Sequence, residues 1–270
     1  MIDLGLDGKR AIVSGAGFIP GRAGHGRQTS LKLAEAGATI ACIDIDEGRA
    51  RGIVSEIEAI GGRAFAVVAD MTERDQVQRA VDEANDRLGG IDVCVDIIGK
   101  ATWSLAEEIT PEEWNRDLTQ NVTQVFHLWQ IVGRQMIRQG TGGSLVALAS
   151  VDGFVGSAYH AAYGVAKAGV ISLTKTFAEE LGRYGIRVNA VAPGNVGTGN
   201  EDQPEGQYAV EPKNPLAAPR GSDIGNAVLF LSSALAARIT GQTLVVDGGA
   251  VIRSLWAMTP DVIPQFRSLY

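Results

Sequence analysis

In the stretch SVDGFVGSAYHAAYGVAKAG, residues 150–169, three side-chain types stand at spacings that could move a proton. Tyr163 and Lys167 are four apart, so on a helix both lie on one face. Ser150 follows the apolar run Ser144–Ala149, which reads as a strand, and so stands at that strand's carboxyl end. A phenol titrates near pH 10 in water, and making it a base near neutrality requires a shift of two to three units, roughly 3–4 kcal/mol. A lysine ammonium beside it is a charge able to contribute to that shift. The serine hydroxyl could hydrogen-bond an oxygen of the substrate and hold it against the phenol. The expected chemistry is acid–base catalysis at a hydroxyl or carbonyl group. Tyr159, four residues before Tyr163, is expected on the same helix face, and His160 off it, at the surface.

Those residues need a scaffold, and the rest of the chain supplies its pattern. Apolar runs at Arg10–Ser14, Thr39–Asp44, Ala64–Ala69, Asp92–Asp96, Ser144–Ala149, Arg187–Ala192 and Thr243–Val246 read as strands. Amphipathic stretches near 24–36, 47–60, 73–88, 111–139, 159–183 and 222–235 read as helices between them. Short continuous apolar strands alternating with helices predict an α/β chain. The expected architecture is a single-domain doubly wound parallel sheet of about seven strands, with helices on both faces, spanning residues 1–270. Ligands on such a sheet bind at the carboxyl ends of the strands, where strand order reverses. The long irregular stretch 195–220 is expected to be a substrate-binding loop, and 253–270 a C-terminal tail.

Between the first strand and the first helix lies SGAGFIPGRAGHGRQTS, residues 14–30. Its glycines match neither G-x-G-x-x-G nor the P-loop spacing. Yet Gly24-His25-Gly26 leads directly into a helical pattern, giving the order strand, glycine turn, helix N-terminus. Unpaired N–H groups there suit a pyrophosphate, and glycine lets the backbone approach it. The second strand ends at Asp44, eighteen residues after Gly26, where a carboxylate can accept ribose hydroxyls and would repel a 2′-phosphate. NAD is therefore expected over NADP, with Arg22 in the loop as the one opposing charge. A nicotinamide transfers hydride while the protein transfers the proton, which fits the tyrosine site. The fold expectation is Rossmann-like.

From Gly8 to Gly249 the chain resembles the short-chain dehydrogenase/reductase family. Ser14-Gly15 and Gly24-x-Gly26 match the two ends of that family's T-G-x-x-x-G-x-G, with five extra residues between; Phe18 to Ala23 is expected to bulge outward near the cofactor. Ser150, Tyr163 and Lys167 match its catalytic residues, at the family's thirteen-residue interval from serine to tyrosine. The resemblance implies a fourth member, Asn121, whose backbone carbonyl anchors a water leading from the lysine to solvent. It implies cofactor contacts at Gly15, Gly24, His25, Gly26, Asp70, Met71, Gly99, Tyr163, Lys167, Val196 and Thr198; Asp70 reads equally well as a helix N-cap. The family's N-N-A-G is here Asp96-Ile97-Ile98-Gly99, so only Gly99 is kept. Asp96 could brace the sheet if its carboxylate accepts hydrogen bonds, and the two isoleucines would enlarge an apolar wall. The resemblance also implies a homotetramer, or a homodimer, built on the two long helices and the last strand.

These readings converge on an NAD-dependent oxidoreductase that interconverts a secondary alcohol and its ketone. Trp103, Val151, Tyr159, Asn195 and Tyr208 are the expected substrate contacts, which favours a hydrophobic, cyclic or aromatic alcohol. Two alternatives stand beside it: an NADPH-dependent ketoacyl-thioester reductase, and a non-catalytic dinucleotide-binding sensor or scaffold. The net charge of −7 argues against nucleic acid. No apolar run approaches 18 residues and the start lacks a signal-peptide pattern, so a cytoplasmic location and no membrane partner are expected. Histidines and acids show no metal-ligand spacing, and Cys42 and Cys94 fall within strands as small apolar fillers.

Overall fold

The computed structural model describes residues 2–21, 23–196 and 216–252. Seven strands, β1 (Arg10–Ser14), β2 (Thr39–Asp44), β3 (Arg63–Val68), β4 (Val93–Asp96), β5 (Gly143–Leu148), β6 (Ile186–Pro193) and β7 (Thr243–Val246), form one sheet in the order β3-β2-β1-β4-β5-β6-β7. Every neighbouring pair is parallel. The chain winds outward one way from β1 and then the other way from β4, so the crevice between the ends of β1 and β4 is the switch point at which such sheets bind ligands. Ser14 at the end of β1 pairs with Asp96 at the end of β4.

Helices α1 (His25–Glu35), α2 (Glu47–Ala59) and α7 (Gly221–Ser232) cover one face of the sheet; α3 (Arg74–Leu88), α5 (Gln124–Gln139) and α6 (Ala161–Leu181) cover the other. Central strands therefore bury side chains of both parities. Ile12 faces one cluster with Ile43 and Cys94, and Val13 the other with Cys42 and Val95. Both cysteines are free and buried, the filler role expected of them. Among the described residues, no helix is long and apolar enough to cross a membrane.

The stretch 111–139 is helical as expected but carries a π-turn: α4 (Pro111–Leu118), opened by a capping box between Thr110 and Glu113 with Pro111 in the first turn, runs through a π-helical turn at Thr119–Thr123 into α5. A π-turn inserts a residue without breaking the helix, which apolar periodicity does not register. Helix α6 begins at Ala161 rather than at 159. Tyr159 lies outside it with a left-handed φ of 69°, so it does not share the helix face of Tyr163.

Candidate active site

The turn after β1 owes its shape to glycine. Gly15 and Ala16 donate their N–H groups to Ile43 O, and Gly15 has a φ of 74°. Gly26, in the first turn of α1, lies so close to the Gly15 carbonyl that any β-carbon there would collide with it. At Gly17 a β-carbon would stand 2.5 Å from Arg49 Cβ and 2.7 Å from Asp44 Oδ2. Gly24 caps α1 in a left-handed conformation with no side-chain cap, leaving the first N–H groups of the helix free for an anion. The lengthened part of the turn does swing outward: Phe18 and Ile19 are exposed, Phe18 lies under the Arg27 guanidinium at 5.7 Å, and Ile19 and Ala23 reach the cleft wall. Arg22 lies outside the described residues.

Asp44 closes β2 with its carboxylate fixed. Oδ1 accepts from Arg49 Nη2 at 2.6 Å, Arg49 Nε at 3.0 Å and the Asp46 amide at 3.0 Å; Oδ2 accepts from the Gly17 amide at 3.2 Å. Arg49, in the first turn of α2, faces the same cleft and was not among the residues expected there. Its signal was the five-residue offset from Asp44, which one helical turn after the strand folds back onto the acid. Asp70 is not a helix N-cap, since Glu73 holds that position for α3; its carboxylate accepts from the amide and hydroxyl of Thr72.

At the other end of the cleft, Ser150 leaves β5 and accepts from the Asp152 amide at 3.2 Å, while Tyr163 and Lys167 come from the first turns of α6. Lys167 is only 2% exposed; its Nζ donates to Leu148 O at 2.7 Å and lies 5.6 Å from the centre of the Tyr163 ring. A β-carbon at Gly99 would sit 3.1 Å from Lys167 Nζ and from Asn121 Oδ1, so any larger residue there would press on both side chains. Asn121, buried in the π-turn, acts through its side chain as a clamp: Nδ2 donates to Lys100 O and Asp117 O, both at 2.8 Å, and Oδ1 accepts from the Lys100 amide at 3.1 Å. The buried Asp96 carboxylate accepts from Gln124 Nε2 at 2.7 Å, which is the bracing expected of it.

Burial dominates the electrostatics. It pushes the Tyr163 phenol up to about 12, opposed by the Ser150 hydrogen bond and reinforced by the negative charges of Asp152 and Asp117. The same effect brings the Lys167 ammonium down to about 8, against the pull of the Asp96 carboxylate, and raises Asp96 to about 6. The Lys167 ammonium donates to Leu148 O and feels Asp96, and burial is the largest influence on the Tyr163 phenol. His25, at the start of α1, is held down to about 4 by burial and by the Lys167 charge.

One cleft of about 710 Å³ joins these groups. It brings together Gly15, Gly24, His25, Gly26, Asp44, Asp70, Met71, Gly99, Ser150, Tyr163, Lys167 and Val196, and adds Thr72, Lys100 and Gln120. Ile97 and Ile98 form part of its wall, as expected. Its size suits a cofactor or drug-sized ligand. The glycine turn and the start of α1, which has no side-chain cap, are of a kind that suits a dinucleotide's pyrophosphate. Trp103, Val151, Tyr159 and Asn195 are not among the lining residues, while Thr198 and Tyr208 lie outside the described residues. Trp103 and Tyr159 stand exposed beside the tyrosine end, at 72% and 51%. His160, expected at the surface, is instead folded in: its Nδ1 lies 2.7 Å from Asp152 Oδ2, and its ring centre 4.1 Å from Trp103 and 5.5 Å from Tyr163.

The family model described as enoyl-(acyl carrier protein) reductase matches residues 21–251. A 3-oxoacyl-[acyl-carrier-protein] reductase of Thermotoga maritima is 35% identical over 250 residues, 92% of this chain and 99% of that protein. An L-rhamnose 1-dehydrogenase (NAD(P)(+)) of a Sphingomonas species is 34% identical over 255 residues, covering 92% and 98%. A solved 7α-hydroxysteroid dehydrogenase, complexed with NADH and a 7-oxo bile acid, superposes with a TM-score of 0.82 at 32% identity, covering 92% of this chain and 96% of that one. By sequence, sheet order and these likenesses together, the chain belongs to the short-chain dehydrogenase/reductase family, nicotinamide-dependent oxidoreductases acting on CH–OH groups.

Proposed function

We propose that this protein is an NAD-dependent dehydrogenase that interconverts a hydrophobic, cyclic secondary alcohol and its ketone. The observation that carries the reading is the single cleft with a fixed carboxylate, Asp44, at one end and Ser150, Tyr163 and Lys167 at the other. When bound, the nicotinamide supplies the acceptor or donor of the hydride. The glycine turn and the start of α1 would hold the pyrophosphate, Asp44 the adenosine ribose, and Asp70 and Met71 the adenine. Ser150 donates to the substrate oxygen and orients it. Tyr163 gives that oxygen a proton during ketone reduction and removes it during alcohol oxidation. Lys167 and the segment clamped by Asn121 connect the phenol to the interior of the cleft. Lowering the Tyr163 phenol from about 12 towards working pH is a task shared by Lys167 and the positive charge of the oxidised cofactor. Ile97, Ile98, Met71 and Leu148 give the cleft an apolar wall, which favours a ring over an open sugar.

A second reading, an NADPH-dependent ketoacyl-thioester reductase, is favoured by Arg49, a guanidinium placed at Asp44 where a 2′-phosphate would sit, and by the likeness to the T. maritima reductase. Titrating the protein with NADH and NADPH, followed by energy transfer from its four tryptophans, separates the two. Tight NADH and weak NADPH binding is the expected result, and the reverse makes Arg49 the selector. Tyr163→Phe should then lower turnover by about 10²–10⁴-fold while the dinucleotide still binds. Undiminished turnover in that variant removes the mechanism; binding without turnover of any alcohol or ketone by the unaltered protein leaves a dinucleotide sensor.

A further inference from the structure

The half-buried pair Asp152–His160 takes no part in the proton transfer just described, yet the His160 ring stands against the ring of the tyrosine that performs it. Asp152 leaves Ser150 by two residues in the short 3₁₀ turn at Val151–Gly153, and His160 occupies the position before α6. Their side chains are only 15% and 11% exposed, and Asp152 Oδ2 lies 2.7 Å from His160 Nδ1. A carboxylate can only accept, so the proton of the neutral imidazole is on Nδ1 and the lone pair on Nε2. That Nε2 is closed off from water and has no hydrogen-bond partner among the described residues. A buried polar atom without a partner is an exception that calls for a reason, and a ligand group is one of the few available.

Trp103 is the exposed neighbour of this imidazole. The Trp103 ring stands edge-on to the imidazole, 4.1 Å between centres and 67° between planes, while the tryptophan itself is 72% exposed. Its loop is tied to the histidine's by the Ser104 amide bonding to Tyr159 O at 3.1 Å. A ring entering beside Tyr163 could take the place of the indole against the imidazole. On the other side the imidazole meets the Tyr163 ring, with 5.5 Å between centres. His160 and Asp152 do not themselves line the cleft, so a substrate oxygen would reach Nε2 only with the indole displaced.

Charge decides which kind of oxygen. Asp152 and Asp117 both add negative potential at Tyr163, so an anionic group on the substrate would be repelled. Even a protonated imidazole would form a neutral pair with Asp152. A neutral hydroxyl, donating to the Nε2 lone pair, satisfies the orphaned atom without adding charge.

We propose that His160, oriented by Asp152, is a specificity residue that accepts a hydrogen bond from a second hydroxyl on the substrate, making the substrate class a ring-borne vicinal diol or the matching hydroxyketone. This rests on the dehydrogenase reading. The test compares kcat/KM for cyclohexane-1,2-diol (cis and trans), cyclohexanol and 2-hydroxycyclohexanecarboxylate with NAD and with NADP. The unaltered protein should prefer one of the diols to cyclohexanol by about 10- to 100-fold. His160→Phe should collapse that ratio to near one, and His160→Gln, whose amide still offers an acceptor, should restore part of it. Because the ratio is read within each variant, a general loss of activity cancels. An unchanged ratio in His160→Phe, equal rates on diols and cyclohexanol, or a preference for the carboxylate overturns the inference and leaves the dehydrogenase standing. No turnover of any of these ring compounds with either cofactor overturns the inference and the ring-alcohol assignment together, while dinucleotide binding reports separately on the cofactor site.

Discussion

Lys167 is buried and Tyr163 half-buried, and desolvation displaces each towards its uncharged form, the phenol to about 12 and the ammonium to about 8. The consequences differ by direction. Ketone reduction needs the protonated phenol, which is present throughout the neutral range. Alcohol oxidation needs the phenolate, whose share grows about tenfold per pH unit below its midpoint. Initial rates in both directions between pH 6 and 9 should therefore show oxidation climbing with pH. Reduction should stay level or decline over the same range, because it consumes the protonated phenol. An oxidation rate that falls as pH rises across this range would remove Tyr163 as the base. The residue types and the four-residue spacing were legible in the chain. The position of His160 was not, because a residue just before a helix is placed by the loop that enters it, and here that loop folds the ring onto Asp152.

The elements matter to the site chiefly through what they bring close. Gly26 and Gly52 make the point by contrast: one is pressed against the Gly15 carbonyl, and the other lies in α2 with nothing within 4 Å of a built β-carbon. Gly26→Ala should lower stability by about 1–3 kcal/mol in urea melts and abolish NADH binding, since the turn must open to admit the methyl group. Gly52→Ala should raise stability by about 0.5–1 kcal/mol through helix propensity alone and leave binding untouched. Equal effects of the two changes would show that the turn tolerates another path. Seven strands and most helices were readable from apolar runs and their spacing. The π-turn carrying Asn121 was not, because one extra residue in a helix leaves the pattern of buried positions on either side intact.

For the whole molecule the open question is what covers the apolar side chains left on its surface. Trp114, Phe126 and Val165 are exposed on α4, α5 and α6, Phe230 on α7 and Leu244 on the edge strand β7. An edge strand and two helix faces with large apolar groups favour association with further copies of the chain. A homotetramer with closed symmetry is the expected state. Light scattering at micromolar concentration should return the mass of four chains, and a monomer would show that these surfaces serve something else.

The sequence by itself determined the alternation of strand and helix, the doubly wound parallel sheet that follows from it, and the tyrosine, lysine and serine to which the proposed function assigns the chemistry. These are local properties: periodicity, glycine at a turn, two side chains one helical turn apart. Only the tertiary structure decided that Arg49 folds back on Asp44, that Lys167 faces Leu148 O and Asp96 rather than serving the phenol alone, and that Asp152 and His160 pair beside Tyr163. Each of those depends on the meeting of segments through desolvation and charge, and neither burial nor distance is written in the order of residues along a chain.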